Sequence, residues 1–196
     1  MTADYAAIVL AGGGGRRMGG RDKPALPVGG APMVRRVLDA VADASPRIVV
    51  GPARPGLDTD VVRVRESPPG GGPVAALAAG LSALPGDVEL VAVLAADLPF
   101  LTPADIDALR QAATTDDHDG AVLVDAEGCR QWLCGVWRTR ALRDRLAELH
   151  PPAGQRMRAL VSALRPAGVD RREVGRPPPW YDCDTEDDYR WAEERA

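Results

Sequence analysis

Short apolar runs alternate along the chain with stretches of helical period. Five runs rich in β-branched residues read as strands: AAIVL (6–10), RIVVG (47–51), VVRVR (61–65), VELVAVLA (88–95) and GAVLVD (120–125). Between them, in APMVRRVLDAVADA (31–44), Met33, Val34, Val37, Leu38 and Val41 fall on one helical face. VAALAAGLSAL (74–84) is small and apolar, as suits a helix packed close to a sheet. In LTPADIDALRQAA (101–113), Thr102 predicts an N-cap, Pro103 suits the first helical position, and Ile106 and Leu109 share a face. Strands alternating with helices predict an α/β protein built on a doubly wound, mainly parallel sheet.

The rhythm changes after residue 126. CRQWLCGVW (129–137) follows a turn at Glu127 and Gly128 and reads as a strand antiparallel to its neighbours. TRALRDRLAEL (139–149) and QRMRALVSAL (155–164) read as helices separated by HPPAG, and the tail TEDDYRWAEER is another amphipathic candidate. No internal repeat and no long linker divides the sequence, so one domain over residues 1–196 is expected.

Composition narrows the chemistry. No apolar run reaches membrane-spanning length, and the first residues lack the basic and apolar regions of a signal peptide. Cys129, Cys134 and Cys183 are odd in number and lack CxxC spacing, which argues against a disulfide framework and fits a reducing cytoplasm. A formal net charge of −4 argues against nucleic-acid binding by bulk electrostatics. Oligomeric state is left between a monomer and a weak homo-oligomer.

One segment departs from the rest. LAGGGGRRMGGRDK (10–23) follows the first strand directly, and Lys23 is the only lysine among 24 basic residues. The P-loop pattern GxxxxGK[ST] fails, because Lys23 follows Asp22 and precedes Pro24. The dinucleotide fingerprint fails as well, since its last glycine falls on Arg17 or Met18. What remains is a longer loop. Its glycines let backbone N–H groups approach phosphate oxygens, and its arginines and lysine add positive charge. Asp97, in AVLAADLPFLTP (92–103), stands just past an apolar strand, where open α/β sheets hold ligands. In YDCDTEDDY (181–189), Thr185 and the acids after it read as a helix start. Asp182 and Asp184 alternate on the extended segment before it and so point the same way.

These residues resemble the MobA-like nucleotidyltransferases, the family of molybdenum cofactor guanylyltransferase. The similarity runs through LAGGGGRRMGG and Lys23, the GGP of PPGGGPVAALAAGL (68–81), DLPF, RQWLCGVWR (130–138) and DCDTED. It implies Rossmann-like nucleotide-binding topology in one nucleotidyltransferase domain. It also implies transfer of a nucleoside monophosphate from an NTP, GTP being favoured, to the phosphate of molybdopterin, with pyrophosphate released. By resemblance, Leu10, Ala11, Gly12, Gly13, Gly14, Gly15, Arg16, Met18, Gly19, Lys23, Gly71, Gly72, Pro73 and Asp97 bind nucleotide. Lys23 and Arg17 stabilise the transfer, and Asp97 holds Mg2+ with Asp184, Asp182 being the alternative second ligand. Gln131, Arg138, Arg156 and Arg158 are candidate contacts for the second substrate. Guanine-specific relatives often carry an asparagine after the second strand, and this sequence has GPARP (51–55) there and no asparagine at all. Cytidylyl transfer to molybdopterin, another small phosphate acceptor, and a non-catalytic nucleotide-binding regulator therefore stay open.

Overall fold

The structure, a computed structural model, describes residues 5–13, 20–115 and 117–196. The first strand, β1 (Tyr5–Leu10), leads through a 3-10 turn (Lys23–Ala25) to a two-stranded ribbon, β2 (Pro27–Val28) with β3 (Ala31–Pro32). Next come α1 (Met33–Ala40), β4 (Arg47–Val50), β5 (Val61–Val64), α2 (Pro73–Ser82) and β6 (Leu90–Ala95). The second half runs α3 (Pro103–Ala113), β7 (Gly120–Val124), β8 (Arg130–Arg138), α4 (Thr139–Glu148), α5 (Met157–Val161), β9 (Pro166–Asp170) and α6 (Glu186–Glu193).

The main sheet has seven strands in the order β5-β4-β1-β6-β8-β7-β9. All neighbours are parallel except β8, which runs antiparallel to both β6 and β7. The expected α/β sheet and its antiparallel strand are therefore both present. Along β1, Ala7 and Val9 face one layer while Ala6, Ile8 and Leu10 face the other, as the two-residue period of a strand requires. Val34, Val37 and Leu38 of α1, with Ile106 and Leu109 of α3, cover the first face. The second is covered by Val74 and Leu77 of α2, Leu142 of α4 and Leu160 of α5. Helices on both faces are what a parallel sheet with two buried sides demands.

Packing explains the small residues of α2. A Cβ built on Gly80 would lie 2.7 Å from Ile8 Cγ2, so the helix rests on β1 at a separation only glycine allows. At the head of α3, Thr102 and Asp105 form a reciprocal capping box with Pro103 following, as the sequence predicts. Three elements differ from expectation. The helix expected over 155–164 is confined to Met157–Val161. The β2–β3 ribbon and strand β9 have no counterpart in the periodicity. β9 opens on Pro166 and contains Gly168, and it is tolerated as a strand because it lies at the sheet edge.

Candidate active site

The carboxyl ends of β1, β4, β5 and β6 share one edge of the sheet, and the candidate residues collect there. Leu10 and Ala11 close β1, where the Ala11 N–H donates to the Val50 carbonyl (2.8 Å) and the Leu10 carbonyl accepts from the Ala96 N–H (3.1 Å). The chain then enters the loop at the exposed Gly12 and Gly13. Gly14, Gly15, Arg16, Arg17, Met18 and Gly19 lie outside the described residues. Where the chain is described again, the 3-10 turn points Lys23 back over the edge.

Lys23 forms the centre of the site. Its side chain is only 13% exposed, its ammonium is 2.7 Å from Asp184 Oδ1, and it also pairs with Asp97 Oδ2. Burial alone would lower the Lys23 pKa, but the Asp97 and Asp184 carboxylates outweigh it and hold the ammonium above the ordinary lysine value. Asp97 stands two residues past β6, and its Oδ1 is buried with no hydrogen-bond partner among the described residues. Asp182 remains exposed, yet the low-dielectric surroundings and the charges of Asp184 and Asp97 raise its carboxyl above the usual aspartate range. Sequence alternation thus did bring Asp182 and Asp184 to one side, while Cys183 between them is fully buried.

These parts come from distant regions of the chain, and a small apolar cluster holds them together. Val28, Met33, Phe100, Cys183 and Ala192 are buried against Tyr181, Tyr189 and Trp191. Tyr181 and Trp191 stack with ring centroids 4.3 Å apart, and Phe100 meets Trp191 edge-on at 6.0 Å. Thr185 caps α6 in a second capping box with Asp188. From that helix Tyr189 donates to the Pro27 carbonyl (2.8 Å), and Glu186 pairs with Arg21 (2.7 Å). The segment carrying Lys23 is thereby fastened to the segment carrying Asp184.

Beside this centre, the glycine segment before α2 also lies at the edge. Gly72 is the N-cap with φ 90°, Pro73 begins the helix, and the Gly71 carbonyl accepts from the Gly154 N–H (2.8 Å). Next to it lies Glu66, which the sequence reading missed. Glu66 is 9% exposed, its Oε1 accepts from the Gly70 N–H (3.0 Å), and its Oε2 is buried without a partner among the described residues. A Cβ on Gly12 would sit 3.7 Å from Glu66 Oε1, so the carboxylate flanks the entry to the glycine loop. The rule that singled out Asp97 would have found it, for Glu66 also stands two residues past a parallel strand. Arg54 and Asp22 were missed as well. Their mutual bonds are hidden in sequence by a separation of 32 positions.

Candidate contacts on β8 separate. Gln131 is near the same edge and donates to Asp125 Oδ2 (2.9 Å). Arg138 is a correction: β8 runs antiparallel, Arg138 is paired with Leu90 at the start of β6, and its Nε donates to the His118 carbonyl (3.0 Å) at the opposite edge. Trp137 is fully buried in the core. Arg156 is the N-cap residue of α5, and Arg158 lies in that short helix with its side chain exposed.

The donor set suits a hard cation shared with a substrate. Asp97 and Asp184 offer carboxylate oxygens that meet at the Lys23 ammonium, and Asp97 Oδ1 is buried without a partner among the described residues. Among the described residues no group of three or more His, Cys, Asp or Glu forms a cage of its own. Mg2+ would need only one or two carboxylates here, completed by substrate phosphates.

A mainly parallel sheet whose carboxyl edge presents the ends of a glycine loop, a half-buried ammonium and two carboxylates paired with it is the arrangement of an α/β nucleotidyltransferase. Within that class the chain belongs to the MobA-like NTP transferase family, whose domain profile matches residues 7–169. It is 35% identical over 181 residues to a probable molybdenum cofactor guanylyltransferase of Mycobacterium tuberculosis, 88% of each chain being covered. A nucleotidyl transferase from Methanothermobacter shares the fold with a TM-score of 0.74 at 24% identity, over 97% of this chain and 96% of that one. So does molybdopterin-guanine dinucleotide biosynthesis protein A from Archaeoglobus fulgidus, with a TM-score of 0.73 at 19% identity over 97% of each. No helix among the described residues is long and apolar enough to cross a membrane.

Proposed function

We propose that the protein transfers GMP from GTP to the terminal phosphate of molybdopterin and releases pyrophosphate. The observation that carries this is the sole lysine, Lys23, held half-buried between Asp97 and Asp184 at the mouth of a glycine loop. An oxygen of the acceptor phosphate attacks the α-phosphorus of the nucleotide in line. The bond from that phosphorus to the bridging β-oxygen breaks, and pyrophosphate carries away the electron pair.

Lys23 and the loop amides stabilise the charge that builds on the phosphate oxygens. Asp97 and Asp184 would hold Mg2+, which when bound would supply further positive charge to those oxygens. No protein nucleophile is required. Cys183 is protonated at neutral pH, since burial and the nearby Asp97 charge push its thiol up to about 12.

Glu66 supports guanine as the base. A buried carboxylate oxygen without a partner among the described residues calls for a donor, and leaving it unmet is costly. Guanine presents its ring N–H beside an exocyclic amino group, a two-donor edge that cytosine, adenine and uracil lack. This supplies a base contact that does not depend on asparagine.

The experiment is pyrophosphate release with molybdopterin and Mg2+, run in parallel with GTP, CTP, ATP and UTP. Release with GTP alone is expected. Release with CTP alone would replace this reading with cytidylyl transfer, and silence with all four would exclude molybdopterin as acceptor.

A further inference from the structure

Among the described residues Arg54 is one of four charged side chains that are buried, and its three shortest bonds run to the ends of the glycine loop, while a longer one from Nη1 reaches the Pro52 carbonyl (3.4 Å). It is 8% exposed. Its Nη2 donates to the Ala11 carbonyl (2.7 Å), where the chain enters the loop. Nε and Nη2 together grip Asp22, at 2.8 Å to Oδ2 and 2.6 Å to Oδ1, where the chain leaves it. Asp22 immediately precedes Lys23, and its carbonyl accepts from the Ala25 N–H (2.9 Å) to start the turn that aims the lysine.

The loop after β4 is shaped for this contact. Gly51 has φ 150°, and a Cβ there would stand 2.7 Å from the Ala11 carbonyl oxygen. Any larger residue would push the two loops apart and draw Arg54 off its acceptor. One guanidinium therefore joins the first and last posts of the loop. Its planar fork can hold a carboxylate with two donors and a carbonyl besides, which a lysine ammonium cannot reproduce in the same geometry.

We infer that Arg54 is a positioning residue for nucleotidyl transfer: by clamping Asp22 to the Ala11 carbonyl it fixes Lys23 against the triphosphate before substrate arrives. Ordering the loop ends in the free protein removes part of the ordering cost that binding would otherwise carry. This inference rests on the reading that a nucleoside triphosphate meets Lys23.

The test compares wild type, Arg54→Lys, Lys23→Ala and the double variant, each by thermal melting, GTP affinity in calorimetry, and kcat and KM for GTP. Arg54→Lys is expected to lower kcat/KM and weaken GTP binding at least about tenfold while Tm moves by only a few degrees. In the Lys23→Ala background the same change is expected to cost less than about twofold, because the residue it positions is already gone. Unchanged GTP affinity and turnover in Arg54→Lys would overturn the inference. So would an equal loss in both backgrounds, or a loss that follows the fraction unfolded. Calorimetry separates this from the choice of acceptor: wild type that binds GTP but transfers nothing to molybdopterin refutes that acceptor, while the Arg54→Lys affinity still decides the clamp. Wild type that binds no nucleotide overturns both.

Discussion

Under the proposed function Lys23 faces the phosphates and Glu66 the base, and each can be removed separately. Lys23→Ala deletes the ammonium between Asp97 and Asp184, so turnover should fall about a hundredfold or more, equivalent to about 3 kcal/mol of barrier, in the pyrophosphate assay. Glu66→Gln keeps the shape of the side chain but presents an amide where a charged acceptor stood. It should lower kcat/KM for GTP about 10- to 100-fold and narrow the gap between GTP and CTP, measured by direct competition. Lys23 was legible from its isolation and its address, and Asp97 from its place after a strand. Glu66 obeys the same positional rule but stands before a proline–glycine stretch that looks like plain loop. Arg54 and Asp22 could not be paired from sequence, since nothing local joins residues 32 positions apart.

At the scale of elements, helix entry and helix–sheet spacing set the geometry. Asp105 caps α3 and is also gripped by Arg171 Nε (3.0 Å) and Arg176 Nη2 (2.6 Å), with none of its surface exposed. Burial would raise its pKa, but Arg176, Thr102 and Arg171 together bring it below the ordinary aspartate value. A carboxyl depressed in the folded state contributes stability that is complete above its unfolded pKa and lost as pH falls through the folded one. Asp105→Asn should therefore cost about 3 kcal/mol in urea unfolding at neutral pH, with the difference from wild type shrinking below about pH 4. Gly80→Ala should push α2 away from Ile8 and cost about 1–3 kcal/mol in the same assay. The strands with unbroken apolar runs and the capped helices were legible because their signals are local. Strand β9 was not, because a proline and a glycine blur its pattern and only pairing with β7 makes it a strand. Arg138 was misjudged because its position along β8 was readable while the consequence of an antiparallel course was not.

Seen whole, the molecule gathers its chemistry at one edge of a sheet whose order, β5-β4-β1-β6-β8-β7-β9, only tertiary pairing decides. Occupancy of that edge should stabilise the entire fold by mass action. GTP with Mg2+ at about a hundred times its Kd should add about 2.7 kcal/mol, a rise in Tm of about 5–10 °C, and the rise should shrink in Lys23→Ala. Lys23 and Asp184 meet across 161 positions of sequence, and Trp191 of α6 with Tyr181 ahead of that helix secures the meeting against Phe100. The consequence is one of timing. A polypeptide still on the ribosome can assemble β1, β4, β5 and β6, with Asp97 following directly, while Asp184, the second carboxylate partner of Lys23, has yet to be translated. The pair of carboxylates is complete only once Asp184 and α6 have been made, so a product ended before them would carry the loop and Asp97 without Asp184.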